Sequence, residues 1–221
     1  MGVAGIGTLR DALASVTPRV YSRSRLVDMH GEPFKASSLV ANTNYVFQYP
    51  FAATPCFLLN LGHAASEVSS LRQADGETYR WEGGTGSARS IVAFSAICAH
   101  KLAYPTREVS FIRFQSDRSP TSDGKVIHCC ADHSVYDPSA GARVLSGPAP
   151  QPLAAILLEY DTARDELSAL GTVGPEQFDA FFRKYDFKLA LDYGPGKAKL
   201  PVGPTTVVRE MTQYCRQTIQ C

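Results

Sequence analysis

Ile91-Val92-Ala93-Phe94-Ser95-Ala96-Ile97-Cys98-Ala99-His100 runs an apolar, β-branched pattern straight into a cysteine and a histidine two positions apart. Further along, Lys125-Val126-Ile127-His128-Cys129-Cys130-Ala131-Asp132-His133 does the same, with a strand pattern from Lys125 to Cys129 that ends on cysteines and a nearby histidine. Short runs of Val, Ile and Phe bounded by turn residues read as strands. Each Cys/His pair therefore occupies a loop at a strand end. The same texture continues outward, with candidate strands at Asn44 to Gln48, Cys56 to Leu61, Thr78 to Trp81, Val109 to Gln115, Arg143 to Leu145, Ala154 to Tyr160 and Glu166 to Leu170. Turns such as Ala74-Asp75-Gly76, Ser122-Asp123-Gly124 and Ser139-Ala140-Gly141 separate some of them. The pattern predicts an all-β domain with no internal repeat.

Three segments break it. Thr8 to Val16 carries a short helical pattern, and Pro175 to Ala190 places Phe178, Phe181, Phe182 and Tyr185 at helical spacing after a Gly-Pro start. A further helix is expected from Thr206 to Gln217. The division that follows is a segment over 1–40, the β domain over 41–173 and a helical extension over 174–221. The aromatic face of the extension either covers a sheet or docks a partner, and docking is the expectation carried forward.

Composition sets the boundaries. With 221 residues, 44% hydrophobic and 19% charged, the chain can bury a sizeable core. Lys plus Arg number 22 against 21 for Asp plus Glu, and no basic stripe is visible, so nucleic acid is not an expected partner. Apolar runs such as Leu153 to Leu158 fall far short of the roughly 20 residues a membrane helix needs. Met1 to Gly7 lacks a charged leading region and does not read as an intact signal peptide. Six cysteines, unevenly spaced at 56, 98, 129, 130, 215 and 221, suit a metal site with others left over. Cys56 reads as a small buried residue in a strand, while Cys215 and Cys221 are either a local disulfide or two free thiols. No nucleophile and base pair, phosphate loop or mononuclear-iron triad is evident.

Two cysteines with two histidines suit tetrahedral zinc, or a [2Fe-2S] cluster with two thiolates on one iron and two imidazoles on the other. Zinc modules usually pair like ligands, whereas here each loop supplies one of each kind. This mixed order, with Ser134-Val135-Tyr136-Asp137 after the second pair and Gly147-Pro148-Ala149-Pro150-Gln151-Pro152-Leu153 beyond it, resembles the Rieske iron-sulfur family. Within the family, Tyr49-Pro50, Pro55-Cys56, Leu61-Gly62 and Leu157-Leu158-Glu159-Tyr160-Asp161 look like the arsenite oxidase small subunits; the likeness spans roughly Tyr45 to Val173.

The resemblance implies a Rieske-type antiparallel β-sandwich whose cluster-binding subdomain is made by two loops. It further implies one-electron transfer as the small subunit or redox partner of a larger oxidoreductase, a cytochrome-type acceptor, and a periplasmic location. The ligands it implies are Cys98, His100, Cys130 and His133, with Ser134 and Tyr136 as hydroxyl donors to the cluster sulfurs. The second loop has two registers. Both flanks align if Cys129 is the ligand, which puts Asp132 where a histidine belongs; the usual C-x-x-H spacing selects Cys130 with His133, and that register is taken as the expectation. Ala103 stands where high-potential members have a cysteine, so the disulfide that braces their two loops should be absent. Rival readings are a structural zinc module and an interaction subunit that has lost its cluster.

Overall fold

Strands 55–60 and 91–95 form the centre of the molecule, and their residues alternate between two apolar faces. Phe57, Leu59, Val92 and Phe94 join one cluster, while Cys56, Leu58, Ile91 and Ala93 join another. A strand with both faces covered needs apolar side chains at every position, which is why these two read as unbroken hydrophobic runs.

In this computed structural model, which describes residues 16–221, the strands in chain order are β1 (Arg19–Val27), β2 (Tyr45–Gln48), β3 (Pro55–Asn60), β4 (Val68–Arg72), β5 (Thr78–Trp81), β6 (Ile91–Ser95), β7 (Val109–Ser110) and β8 (Ile112–Gln115). They continue as β9 (Val126–Cys129), β10 (Ser134–Asp137), β11 (Arg143–Ser146), β12 (Ala155–Asp161), β13 (Glu166–Val173), β14 (Thr205–Val207), β15 (Arg209–Glu210) and β16 (Gln217–Thr218). Helices α1 (Phe178–Lys184), α2 (Asp186–Tyr193) and α3 (Met211–Tyr214) fall in the last fifth of the chain. The all-β expectation holds, with a small helical extension.

One sheet has eight strands in the order β14-β1-β13-β12-β6-β3-β2-β15, and a second has four in the order β11-β10-β9-β8. The large sheet curls until its ends approach, and the Thr206 hydroxyl on β14 donates to the Gln48 carbonyl on β2 at 2.8 Å. Leu26, Ile156, Leu167 and Val208 line the inside of the curl. Its outer face carries Phe57 and Phe94 against the β4-β5 hairpin (Leu71, Tyr79, Trp81) and the small sheet (Ile112, Phe114, Ile127, Tyr136). The loop after β6 and the turn between β9 and β10 emerge at this junction.

Segments from early and late in the described residues enter these layers. β1 pairs antiparallel with β13, and β14 extends the sheet in parallel from β1. The aromatic face of α1 is spent inside the chain, with Phe178, Phe181 and Phe182 packed on Ala53, Ile97, Leu189 and Ala198. The helix expected over Pro175 to Ala190 breaks at Tyr185 into α1 and α2. The helix expected over Thr206 to Gln217 is corrected to β14, β15 and one helical turn: a stretch holding Thr205, Thr206, Val207 and Val208 gains more from sheet pairing than from a helix that crowds β-branched carbons. The helical pattern at Thr8 to Val16 lies almost wholly outside the described residues.

Candidate metal centre

The loop after β6 is held by backbone bonds, Cys98 N–H to Ala103 O at 2.8 Å and Leu102 N–H to Cys98 O at 3.0 Å. Opposite it, β9 and β10 pair Cys129 with Ser134, so 130–133 make a tight turn in which the His133 N–H returns to the Cys129 carbonyl at 2.7 Å. The Gly147 segment packs on that turn. A Cβ there would sit 2.5 Å from the His133 carbonyl and 2.6 Å from the Ser134 Cα, and the φ of +89° is left-handed as well. Two residues on, the Ala149 N–H donates to the buried Ser134 hydroxyl at 3.1 Å.

These loops gather a sulfur pair, a carboxylate and an imidazole. The donor atoms of Cys98, Cys129 and Asp132 lie within 4.8 Å of one another, and both cysteines are fully buried. Asp132 Oδ2 is 3.3 Å from Cys98 Sγ and 3.0 Å from His100 Nδ1. The Asp132 side chain is 2% exposed and that of His100 36%, so the imidazole is the centre's edge to solvent.

The expected ligand residues divide. Cys98 and His100 stand at this centre. The assignment of Cys130 is corrected, because its sulfur is bonded to Cys221, 91 residues away, and a disulfide sulfur is not a thiolate. Alternation along β9 directs Cys129 inward, and Cys130, one residue past the strand, turns toward the chain end. The pairing Cys215 with Cys221 is likewise replaced, leaving Cys215 a buried free thiol. His133, at φ +59°, is grouped with His128 and Cys221, not with Cys98. Asp132, which the sequence offers as a ligand only in the alternative register, reaches the centre instead. Cys56 is a buried strand residue as read.

The electrostatics favour anions here. The hydrogen bond from Cys129 lowers the Cys98 thiol to about 7 despite burial, helped by the Tyr136 hydroxyl and by the backbone N–H groups of His100 and Lys101. The same hydrogen bond, with burial, raises Cys129, so the pair shares a proton that favours the Cys98 thiolate. Burial acts to raise Asp132, but the Ser134 N–H and the neighbouring thiols outweigh it and the carboxyl lies below its ordinary value. The Tyr136 hydroxyl accepts from the Ala99 N–H at 3.2 Å and lies 3.5 Å from Cys98 Sγ, and burial, the largest influence, keeps it protonated as a donor. As a thiol, Cys98 donates to Asp132 Oδ2 at 3.3 Å, and once it ionises the thiolate and the carboxylate at that distance repel one another. A metal cation between them removes that cost, and two sulfurs with an imidazole and a carboxylate are competent ligands for iron or zinc.

No family model matches the chain. Among solved structures, the soluble domain of Rieske protein II (soxF) from Sulfolobus acidocaldarius is similar at 28% identity, over 69% of this chain and 78% of that one, with a TM-score of 0.49. No helix among the described residues is long and apolar enough to cross a membrane.

The Cys130–Cys221 bridge also bears on stability. For a loop of this length the chain-entropy ceiling is about 4.6 kcal/mol, and measured bridges contribute about 2–4 kcal/mol. Cys221→Ser is expected to lower the unfolding free energy by about 2–4 kcal/mol. Urea denaturation of the oxidised proteins checks this; equal midpoints for variant and parent would mean the bridge is not formed in solution.

Proposed function

We propose that this chain transfers single electrons through a Rieske-type [2Fe-2S] cluster, with Cys98 and Cys129 on the inner iron and His100 and Asp132 on the outer one. The observation that carries the reading is the convergence from two loops of Cys98, Cys129 and Asp132 onto one buried, anion-favouring group, with His100 against Asp132 at its solvent edge. When bound, such a cluster supplies reversible one-electron chemistry, with a potential raised where neutral ligands replace thiolates.

The protein's own residues do the rest. Backbone N–H groups and Tyr136 stabilise charge on Cys98, and Ser134 holds Asp132 through its N–H at 3.0 Å. His100 turns Nδ1 inward and offers the rest of its ring to solvent, where a partner's redox group can approach. That partner is proposed to be a larger oxidoreductase subunit or a cytochrome-type acceptor, on the strength of the arsenite oxidase-like motifs. A periplasmic location is supported by the disulfide, which persists in oxidising compartments.

Anaerobically purified protein is expected to contain about two irons and two acid-labile sulfides per chain and, once reduced, to give an electron paramagnetic resonance signal. A second reading, a single zinc ion, is favoured by compactness, since three donor atoms lie within 4.8 Å of one another and His100 Nδ1 is 3.0 Å from the third, Asp132. Colourless protein with zinc and no sulfide would select it. Tyr136→Phe is expected to keep the cluster and lower its potential by roughly 40–50 mV, because a donor that favours the more negative state by about 1 kcal/mol is lost. Redox titration of the two proteins checks this.

A further inference from the structure

On the opposite face of β9 from Cys129 lies a second group of donors. His128 is fully buried, yet neither ring nitrogen has a hydrogen-bond partner. An imidazole cut off from water with both nitrogens unsatisfied is costly, and buried polar atoms without partners call for an explanation. The His133 ring lies 6.1 Å from it, centroid to centroid, and ligand atoms of His128, His133 and Cys221 lie within 4.8 Å of one another. Cys130, bonded to Cys221, holds a second sulfur next to this group, though not within it.

We propose that His128, His133, Cys130 and Cys221 form a second metal site, one that takes a divalent ion of zinc type when the Cys130–Cys221 bond is reduced and releases it when the bond re-forms. Two imidazoles and two thiolates are a complete tetrahedral set, with Zn–N of about 2.0–2.1 Å and Zn–S of about 2.3 Å. Those bond lengths put neighbouring donors about 3.3–3.8 Å apart, so His128, His133 and Cys221 need to close by at most about 1 Å, while the Cys130 sulfur, freed from its bond, has further to swing in. Cys221, tied by the Ile219 N–H to the Ser110 carbonyl only two residues back, can make that movement.

The oxidised form lacks the charge to hold the ion. Its disulfide sulfurs are neutral, and Arg113, paired across the strands with His128, adds a positive charge. Reduction reverses this. A dithiol reductant passes two electrons and two protons to the disulfide, leaving two thiols and becoming a disulfide itself. The ion then displaces both thiol protons to water, and the two thiolates balance its charge. His128 gains the partner it lacks, and the turn carrying Asp132 is clamped from behind by the metal in place of the covalent bond.

The experiment is equilibrium dialysis of the whole protein against zinc, before and after reduction by a phosphine, which binds zinc weakly and leaves the two thiols as it takes up oxygen from water. The parent is expected to bind about one more zinc per chain when reduced. His133→Asn and Cys221→Ser are expected to lose that increment. His133 is exposed and Asn tolerates its left-handed backbone, so the first variant should fold whatever the cost of the second. No increment in the reduced parent, or an increment that survives in His133→Asn, overturns the proposal.

Discussion

Cys129→Ser is expected to purify without iron or acid-labile sulfide, while Cys130→Ser keeps both at the parent's level. Losing one of four ligands removes a bond and leaves a buried site with mismatched charge, so metal content should fall at least tenfold. Cys129 is fully buried with its donor atom inside the Cys98 and Asp132 group, whereas the Cys130 sulfur is bonded to Cys221 on the other side of the turn. The Cys130 variant should show only the stability loss of a missing bridge. Iron and sulfide assays on the two proteins suffice, and full content in Cys129→Ser with loss in Cys130→Ser would reverse the register of the second loop.

Asp132→His is expected to raise the reduction potential by on the order of 100 mV. Replacing two thiolates by two imidazoles raises these clusters from about −400 mV to between about −150 and +300 mV, so exchanging one anionic ligand for a neutral one is worth about half of that interval at its lower end. The pH response should change with it. Oxidised iron acidifies a ligating imidazole, so deprotonation favours the oxidised state and the potential falls as pH rises through the imidazole's titration in that state. Each such imidazole adds at most about 60 mV per pH unit to the slope, one proton for each electron. The variant carries one more imidazole ligand than the parent, and its limiting slope should be steeper by up to that amount. Redox titration from neutral to strongly alkaline pH measures both, and an unchanged potential and slope would remove Asp132 from the ligand set.

Much of the β framework is legible locally. Thr78–Trp81 is read with its observed bounds, the runs that become β3, β6, β9 and β12 shift only at their ends, and Val109 to Gln115 is read as one strand where the structure has two, β7 and β8; β3, β6 and β9 are plainest because a strand buried on both faces announces itself in every side chain. β1 escapes notice, since Arg19, Arg23 and Arg25 sit among its exposed or half-buried positions and the pattern looks like a polar loop. The strands β14 and β15 are too short to carry a period of their own, and only their pairing with β1 and β2 makes them strands.

By itself the sequence determined the all-β class and the two loops in which cysteine and histidine follow a strong strand. It also determined the loss of the inter-loop bridge at Ala103, since Cys98 and Cys129 are both free of disulfides and Cys130 pairs elsewhere. Only the tertiary structure decided which donors of the second loop face Cys98. Cys129, Cys130, Asp132 and His133 lie within five residues, and their chemistry alone ranks Cys130 with His133 at least as well. The choice is made by side-chain direction at the end of β9, by a turn that sends Asp132 inward and His133 to the far face, and by a cysteine arriving from 91 residues away. A linear pattern records spacing along the chain. The direction of a side chain at a strand end, and the arrival of a distant thiol, exist only once the sheets have packed.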